Sequence, residues 1–341
     1  MSGTKAGSCL TKDSKNNNAL IHDYGVFQGD SCVPFSDFGG GSYQATYGES
    51  TYHGLQTKLE DQMSNGLTFL LTWTYSKAMS DAGDLLNGGS SGGLRAYNVP
   101  GLGPHFDWTR ANFDLRHVIH FSGGYQLPFG KNMKYMNHGG IADTVLGGWA
   151  VNWITTLQGG QPVNFGCPTG TTSGTGCNVV LVKGQDPKLG IKTKTIDGAP
   201  RPFWVNNAAA FAQPCKLRDD LAGSIGTITP DPGSITGCIP LEGAAALGSK
   251  PGQIDGPGFH RLDFSVFKKF PIKERFSTEF RAEFFNILNH PNFNAPNFGG
   301  NGVVAIGGSG NITDAHFGEV GSTRDNPYDP RQIQLALKFY Y

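Results

Sequence analysis

The stretch that decides the fold is LTFLLTWTYSK, from Leu67 to Lys77. Leu67, Phe69, Leu71, Trp73 and Tyr75 occupy the odd positions, and Thr68, Thr72, Thr74 and Ser76 supply hydroxyls at even ones, with Leu70 the exception. A strand turns successive side chains to opposite faces. This stretch therefore predicts a strand with one continuous apolar face and one mostly polar face.

The pattern recurs along the chain. Over 113–127, Phe113, Leu115, Ile119, Phe121, Tyr125 and Leu127 oppose Asp114, Arg116, His120, Ser122 and Gln126. Over 149–159, Trp149, Val151, Trp153 and Leu157 oppose Asn152, Thr156 and Gln158. Over 259–270, Leu262, Phe264, Val266 and Phe270 oppose Arg261, Asp263, Ser265 and Lys269. Over 275–287, Phe276, Phe280, Ala282 and Phe284 oppose Ser277, Glu279, Arg281 and Glu283. Over 331–341, Ile333, Leu335, Leu337, Phe339 and Tyr341 oppose Gln332, Gln334 and Lys338. A weaker strand runs from about Tyr43 to Glu60, with Leu55 and Leu59 on its apolar side. The predicted strands are about eleven to sixteen residues long, where soluble strands have about five or six and membrane-crossing ones need ~9–11.

Short and long connections alternate. Ser64-Asn65-Gly66 and Pro271-Ile272-Lys273 read as tight turns, and 128–147 as a moderate link with room for a short helix. The stretches 78–112, 160–257 and 289–330 are long. Outer-membrane barrels are built this way, with short periplasmic turns and long outer loops. The expected fold is all-β: an antiparallel up-and-down meander, part of a transmembrane β-barrel, over 42–341. Residues 1–41 would lie outside as an irregular segment, and 160–257 would be an outer-loop insertion. Seven strands from an outer start do not make the even count of a complete bacterial barrel, and Met1-Ser2-Gly3-Thr4-Lys5 has no apolar signal-peptide core. The expectation is a barrel portion.

Composition agrees. The chain has 341 residues and zero formal net charge, so electrostatics give no case for a nucleic-acid partner. Charged residues make up 16%, while glycine reaches 50 and phenylalanine 23, which suits many strands joined by loops and argues against disorder. No apolar run approaches the ~18 residues of a membrane helix. The cysteines Cys9, Cys32, Cys167, Cys177, Cys215 and Cys238 lack metal-finger or CxxC spacing. They read as loop disulfides of an oxidising compartment or as unpaired small apolar residues.

Five blocks carry a family resemblance: SNGLTFLLTWTYSKAMSD (64–81), DWTRANFDLRHVIHFSGGYQLPFG (107–130), GGWAVNWITTLQGGQP (147–162), RLDFSVFKKFPIKERFSTEFRAEFFNILNHPNF (261–293) and STRDNPYDPRQIQLALKFYY (322–341). Together, and in this order, they resemble the C-terminal barrel of Oar-like TonB-dependent receptors of the acidobacterial type. The resemblance implies a cell outer membrane location in a Gram-negative bacterium and energy-coupled uptake of a ligand. It implies a barrel of about twenty-two strands preceded by a carboxypeptidase-regulatory-like domain and a plug, neither of which is visible in this chain. Its partners would be outer-membrane lipid, the barrel-assembly machinery, and a TonB-type complex acting through the N-terminal region. Ile333, Leu335, Leu337, Phe339 and Tyr341 resemble the family's C-terminal assembly signal.

No enzyme constellation, cofactor motif or metal site emerges. His117 and His120 differ by three and fall on opposite strand faces. Glu279 and Glu283 flank Arg281 and read as a salt-bridged ladder, not an acid/base pair. Gly88 to Gly93 follows no strand-to-helix pattern and reads as a loop rather than a phosphate cradle. Lumen-facing candidates along a ligand path are Arg116, His120, Arg261, Asp263, Arg281 and Glu283. For the hairpin around 271–273, opposite charges and paired aromatics favour Asp263 opposite Arg281, Arg261 opposite Glu283 and Phe264 opposite Phe280. The alternative reading is a secreted soluble β-sandwich, a glycan-binding or adhesin protein, which would bury the apolar face between two sheets.

The cysteine spacing generates one prediction and the resemblance of the C-terminus to an assembly signal another. Short loops close at the lowest entropy cost, so peptide mapping without reductant should find Cys9–Cys32, Cys167–Cys177 and Cys215–Cys238; free thiols or a Cys32–Cys167 pair would refute this. Replacing Tyr341 with a charged residue should lower the amount of assembled barrel, and an unchanged amount would refute the assembly-signal reading.

Overall fold

The computed structural model describes residues 10–12, 18–20, 48–81, 105, 108–131, 133–136, 140–163, 165, 178–213, 239, 248–250, 252, 254–273, 276–296, 312–325 and 330–341. Seven long strands dominate: Ser50–Ser64 (β1), Leu67–Ser80 (β2), His117–Gln126 (β3), Trp149–Gln158 (β4), Phe259–Lys273 (β5), Phe276–Phe285 (β6) and Gln332–Tyr340 (β7). They lie side by side in chain order, each antiparallel to the next. The two-residue strand Thr109–Arg110 joins the loop end of β2. Leu10–Lys12 and Asn18–Leu20 pair separately. Among the described residues, β1 and β7 are edges and the sheet stays open.

The ladder keeps the alternation in phase across every pair. Leu71 lies opposite Leu59 and Phe121, Phe121 opposite Thr155, and Trp153 opposite Phe264. Phe264 faces Phe284, which faces Ile333. One apolar face thus runs from Leu55 and Leu59 on β1 to Leu335, Leu337 and Phe339 on β7, with Lys268 on β5 as a charged exception. The face stays uncovered: Leu59 is 58%, Leu335 67% and Phe339 70% exposed. Gly123 lies on this face, where an added Cβ would meet the Trp153 indole and the Thr68 carbonyl at 2.6 Å. The glycine makes room for the cross-strand ring. A β-sandwich would cover this face with a second sheet, and none does so among the described residues.

The turns explain the register. Asn65 and Gly66 both have positive φ, 51° and 81°, the arrangement of a two-residue type I′ hairpin. The expected turn at Pro271-Ile272-Lys273 is corrected: β5 runs on to Lys273, so only two residues separate it from β6. The expected register shifts with it. Phe264 pairs with Phe284 rather than Phe280, Ser265 with Glu283 and Phe267 with Arg281. Asp263 and Arg261 therefore do not oppose Arg281 and Glu283. The charges instead pair along the strands, Arg261 with Asp263 and Arg281 with Glu279 and Glu283. The observed register sets Lys269 and Lys338 on either side of Glu279 and leaves no like charge opposite Glu283. Parity is kept, so Phe264 and Phe280 still share the apolar face.

Two strand boundaries also differ. β1 continues past Glu60 to Ser64, while 43–47 lie outside the described residues. β3 begins at His117 rather than Phe113. Before it, the Asp114 N–H closes a turn on the Ala111 carbonyl, and the Asp114 carboxylate accepts the Ala78 N–H at 2.7 Å. That carboxylate is worth more capping a neighbour's backbone than pointing from a strand.

Strand ends are staggered. Leu67, next to its turn, is level through Tyr125 and Val151 with Val266, seven residues short of the end of β5. Tilted barrel strands produce this staircase. At the opposite end the insertion after β4 folds on itself. Leu189–Ile196 and Ala199–Val205 form a hairpin through Asp197-Gly198, both at positive φ. A small core joins Phe165 and Phe211 of the insertion to Phe317 of the connection before β7, their rings 5.0–5.6 Å apart. Pro162–Val163 pairs with Ile254–Asp255, tying the two stems of the insertion together.

The faces predict contrasting costs. Arginine at Phe121 should destabilise the assembled sheet by about 2–4 kcal/mol if that face meets hydrocarbon, and at the neighbouring Ser122 far less. Denaturant titration of the two variants in lipid checks this; equal costs would indicate packing on both faces.

Candidate functional site

The polar face carries the candidate site. Lys58, Thr72, His120, Thr156 and Arg261 stand directly opposite one another on five successive strands. The His120 Nδ1 lies 3.2 Å from Thr156 Oγ1. Arg261 Nε donates to Asp263 at 3.0 Å, and its Nη1 reaches Asp325 at 3.4 Å. On β6, Arg281 donates to Glu279 at 2.9 Å and to Glu283 at 3.3 Å. Its guanidinium sits over the Phe267 ring, 5.4 Å from the centroid, a contact that favours a desolvated cation. Tyr340 O–H donates to Glu279 from β7.

The predicted lumen residues thus divide. Arg261 with Asp263 forms one group and Arg281 with Glu283 another, and His120 shares a cross-strand row with the first. Arg116 is exposed and precedes β3, its carbonyl accepting the Ser76 N–H at 3.0 Å. His117 lies on the opposite face from His120, 4.9 Å from the Tyr75 ring. Ile333, Leu335, Leu337 and Phe339 share the apolar face, and Tyr341 follows β7 almost fully exposed. Cys9, Cys32, Cys167, Cys177, Cys215 and Cys238 lie outside the described residues.

Around the long-loop rim of the sheet, buried polar groups pin the connections. Asn286 and Asn292 are each 1% exposed. Asn286 N–H donates to Asp263 at 2.8 Å, and Asn292 Oδ1 accepts the His260 N–H at 2.7 Å. Arg324 donates to the Pro257 carbonyl at 2.8 Å; burial lowers its pKa despite Asp325 nearby. Across the rim, Arg110 bridges Asp114 at 2.8 Å and Asp255, which belongs to the insertion 145 residues on. Burial alone would lower the Arg110 pKa, but the two carboxylates outweigh it and raise it. The Arg110–Asp114 pair is buried and holds the guanidinium in place, while the half-exposed Asp255 is partly screened by solvent; together they form a latch that joins the insertion to the loop before β3. Trp204 Nε1 adds a bond to the Asp255 carbonyl at 2.7 Å.

Sequence reasoning missed the latch, because nothing local marks Asp255 as the partner of Arg110. Inside the insertion, the Asp197-Gly198 dipeptide is a local signal that could have marked its hairpin. Among the described residues, no group of three or more His, Cys, Asp or Glu is placed to hold a metal ion. What the face offers is binding chemistry: charged and neutral donors and acceptors, arranged in rows that lead to the folded insertion.

Neither a curated protein nor a solved structure matches the chain. An outer membrane beta barrel domain matches it over residues 3–334. That span takes in six of the seven strands whole and enters the seventh. Because the match follows the entire meander rather than one hairpin, the chain belongs to the outer membrane β-barrel domain family.

Proposed function

We propose that this barrel domain serves a TonB-dependent receptor of the Oar-like kind, in the outer membrane of a Gram-negative bacterium. Its task is energy-coupled uptake of a ligand captured by the outer loops. The observation that supports this reading best is the polar face itself. The row from Lys58 to Arg261 and the Glu279–Arg281–Glu283 ladder would line an interior that is wet and charged with both signs. A passage of that kind suits a polar ligand, and the latched insertion stands over its outer end. The plug of such a receptor precedes the barrel, and that region, not these strands, contacts the energy-coupling complex. The strands contribute the lipid-embedded wall and the lining; catalysis has no part in the proposal.

The test has two arms. The parent protein should fractionate with the outer membrane and show heat-modifiable gel mobility; recovery from the soluble periplasm without detergent would overturn the barrel role. Strains lacking either the parent gene or the TonB-type partner should then lose growth on the same solute, screened among iron chelates, glycans and peptides as sole sources. Uptake that needs the barrel but survives loss of the partner would mark a passive channel and overturn energy coupling.

A further inference from the structure

Lys268 breaks the apolar face. It lies opposite Trp149 and Phe280, in register with Phe264 and Val266, where the family's fold turns side chains toward lipid. A cation on that face is unfavourable unless it is shielded or reaches the interface. Lys268 is nonetheless only 4% exposed. What covers it is the helix Ile141–Leu146 (α1) in the link between β3 and β4.

The contacts are specific. Lys268 Nζ donates to the Thr144 carbonyl at 2.6 Å and sits over the Trp149 and Phe270 rings. Trp149 Nε1 donates to the Val145 carbonyl at 2.9 Å. The last carbonyls of a helix lack intrahelical partners and carry partial negative charge. Two side chains of the apolar face supply what they lack. α1 is thereby fastened to the outside of the sheet, at the end where the short turns lie.

The helix then presents its own apolar side outward. Ile141 is 85%, Val145 57% and Leu146 51% exposed. Phe129 and Tyr135 lie close by in sequence, their rings 5.9 Å apart, with Lys134 over Tyr135. Aromatic rings and lysines together are the composition of a membrane interface. Because Lys268 and Trp149 of the apolar face hold α1, the helix lies on that side of the sheet and not over the polar rows.

We infer that α1 is an interfacial helix, lying in the phospholipid boundary on the short-turn side. It inserts Ile141, Val145 and Leu146 among the acyl chains and keeps Lys268 out of hydrocarbon. This rests on the family's membrane embedding but not on energy-coupled uptake.

The test is photo-crosslinking of the full chain in vesicles of phosphatidylethanolamine and phosphatidylglycerol. A benzophenone amino acid is placed singly at Val145, at Leu335 on the apolar face of β7, and at Gln334 on its polar face. Mass spectrometry should find acyl-chain adducts at Val145 comparable to those at Leu335, and none at Gln334. Adducts at Leu335 without any at Val145 would show an embedded sheet with α1 in water and overturn the inference alone. No adducts at Leu335 would overturn the embedding itself. If the Val145 variant does not assemble, Ile141, the most exposed residue of the helix, takes the probe and is read the same way.

Discussion

Hydrocarbon offers no hydrogen bonds, so a chain that crosses it must pair its backbone groups internally. For this chain that means an unbroken antiparallel ladder, and the rest of the structure follows from it. Six strand-to-strand pairings run in chain order, each neighbour supplying the other's N–H and C=O partners. Side chains have only two directions in which to point. Since a one-residue slip turns a whole strand over, one parity error anywhere would place Arg281 or Asp263 in lipid. The ladder avoids this across all seven strands, and that consistency separates a wet face from a greasy one.

This explains which parts of the fold were legible in sequence. The period of two is local, so the faces of Leu67–Ser80 or Gln332–Tyr340 could be read from the residues themselves. The Asn65-Gly66 turn was equally local, because both positions need positive φ. The register of β5 and β6 was not. Several registers satisfy parity, and choosing among them means comparing cross-strand terms of about 0.2–1 kcal/mol each. The expectation credited Asp263 and Arg281 with finding each other across the strands. They found neighbours two residues along their own strands instead, which long side chains reach in any register. With the charges satisfied that way, the continuation of β5 to Lys273 and the Phe267–Arg281 contact could set the pairing.

The candidate site divides along the same line. That Arg261, Asp263, Arg281 and Glu283 belong to the polar face was visible from alternation. That Asn286, Asn292 and Arg110 would be buried and pin the long loops was not, since each partner lies far off in sequence or in a loop without a period. The Arg110–Asp255 pair closes a separation of 145 residues. Loop contacts of this kind depend on the strand ends, whose order in the sheet decides which loops lie side by side.

Lys268 shows how far the ladder's logic extends. A strict alternation would put an apolar residue there, and Lys268-Lys269 instead gives each face a cation. Lys269 needs no help, because it stands on the wet face opposite Glu279. Lys268 faces the other way, and moving it to the wet face would require a slip that inverts Phe264, Val266 and Phe270 with it. The register therefore holds, and the link between β3 and β4 adapts: six residues coil into a helix whose Thr144 carbonyl takes the ammonium. The exception to the pattern is resolved by a local element outside the sheet, because the sheet itself has no freedom left to resolve it.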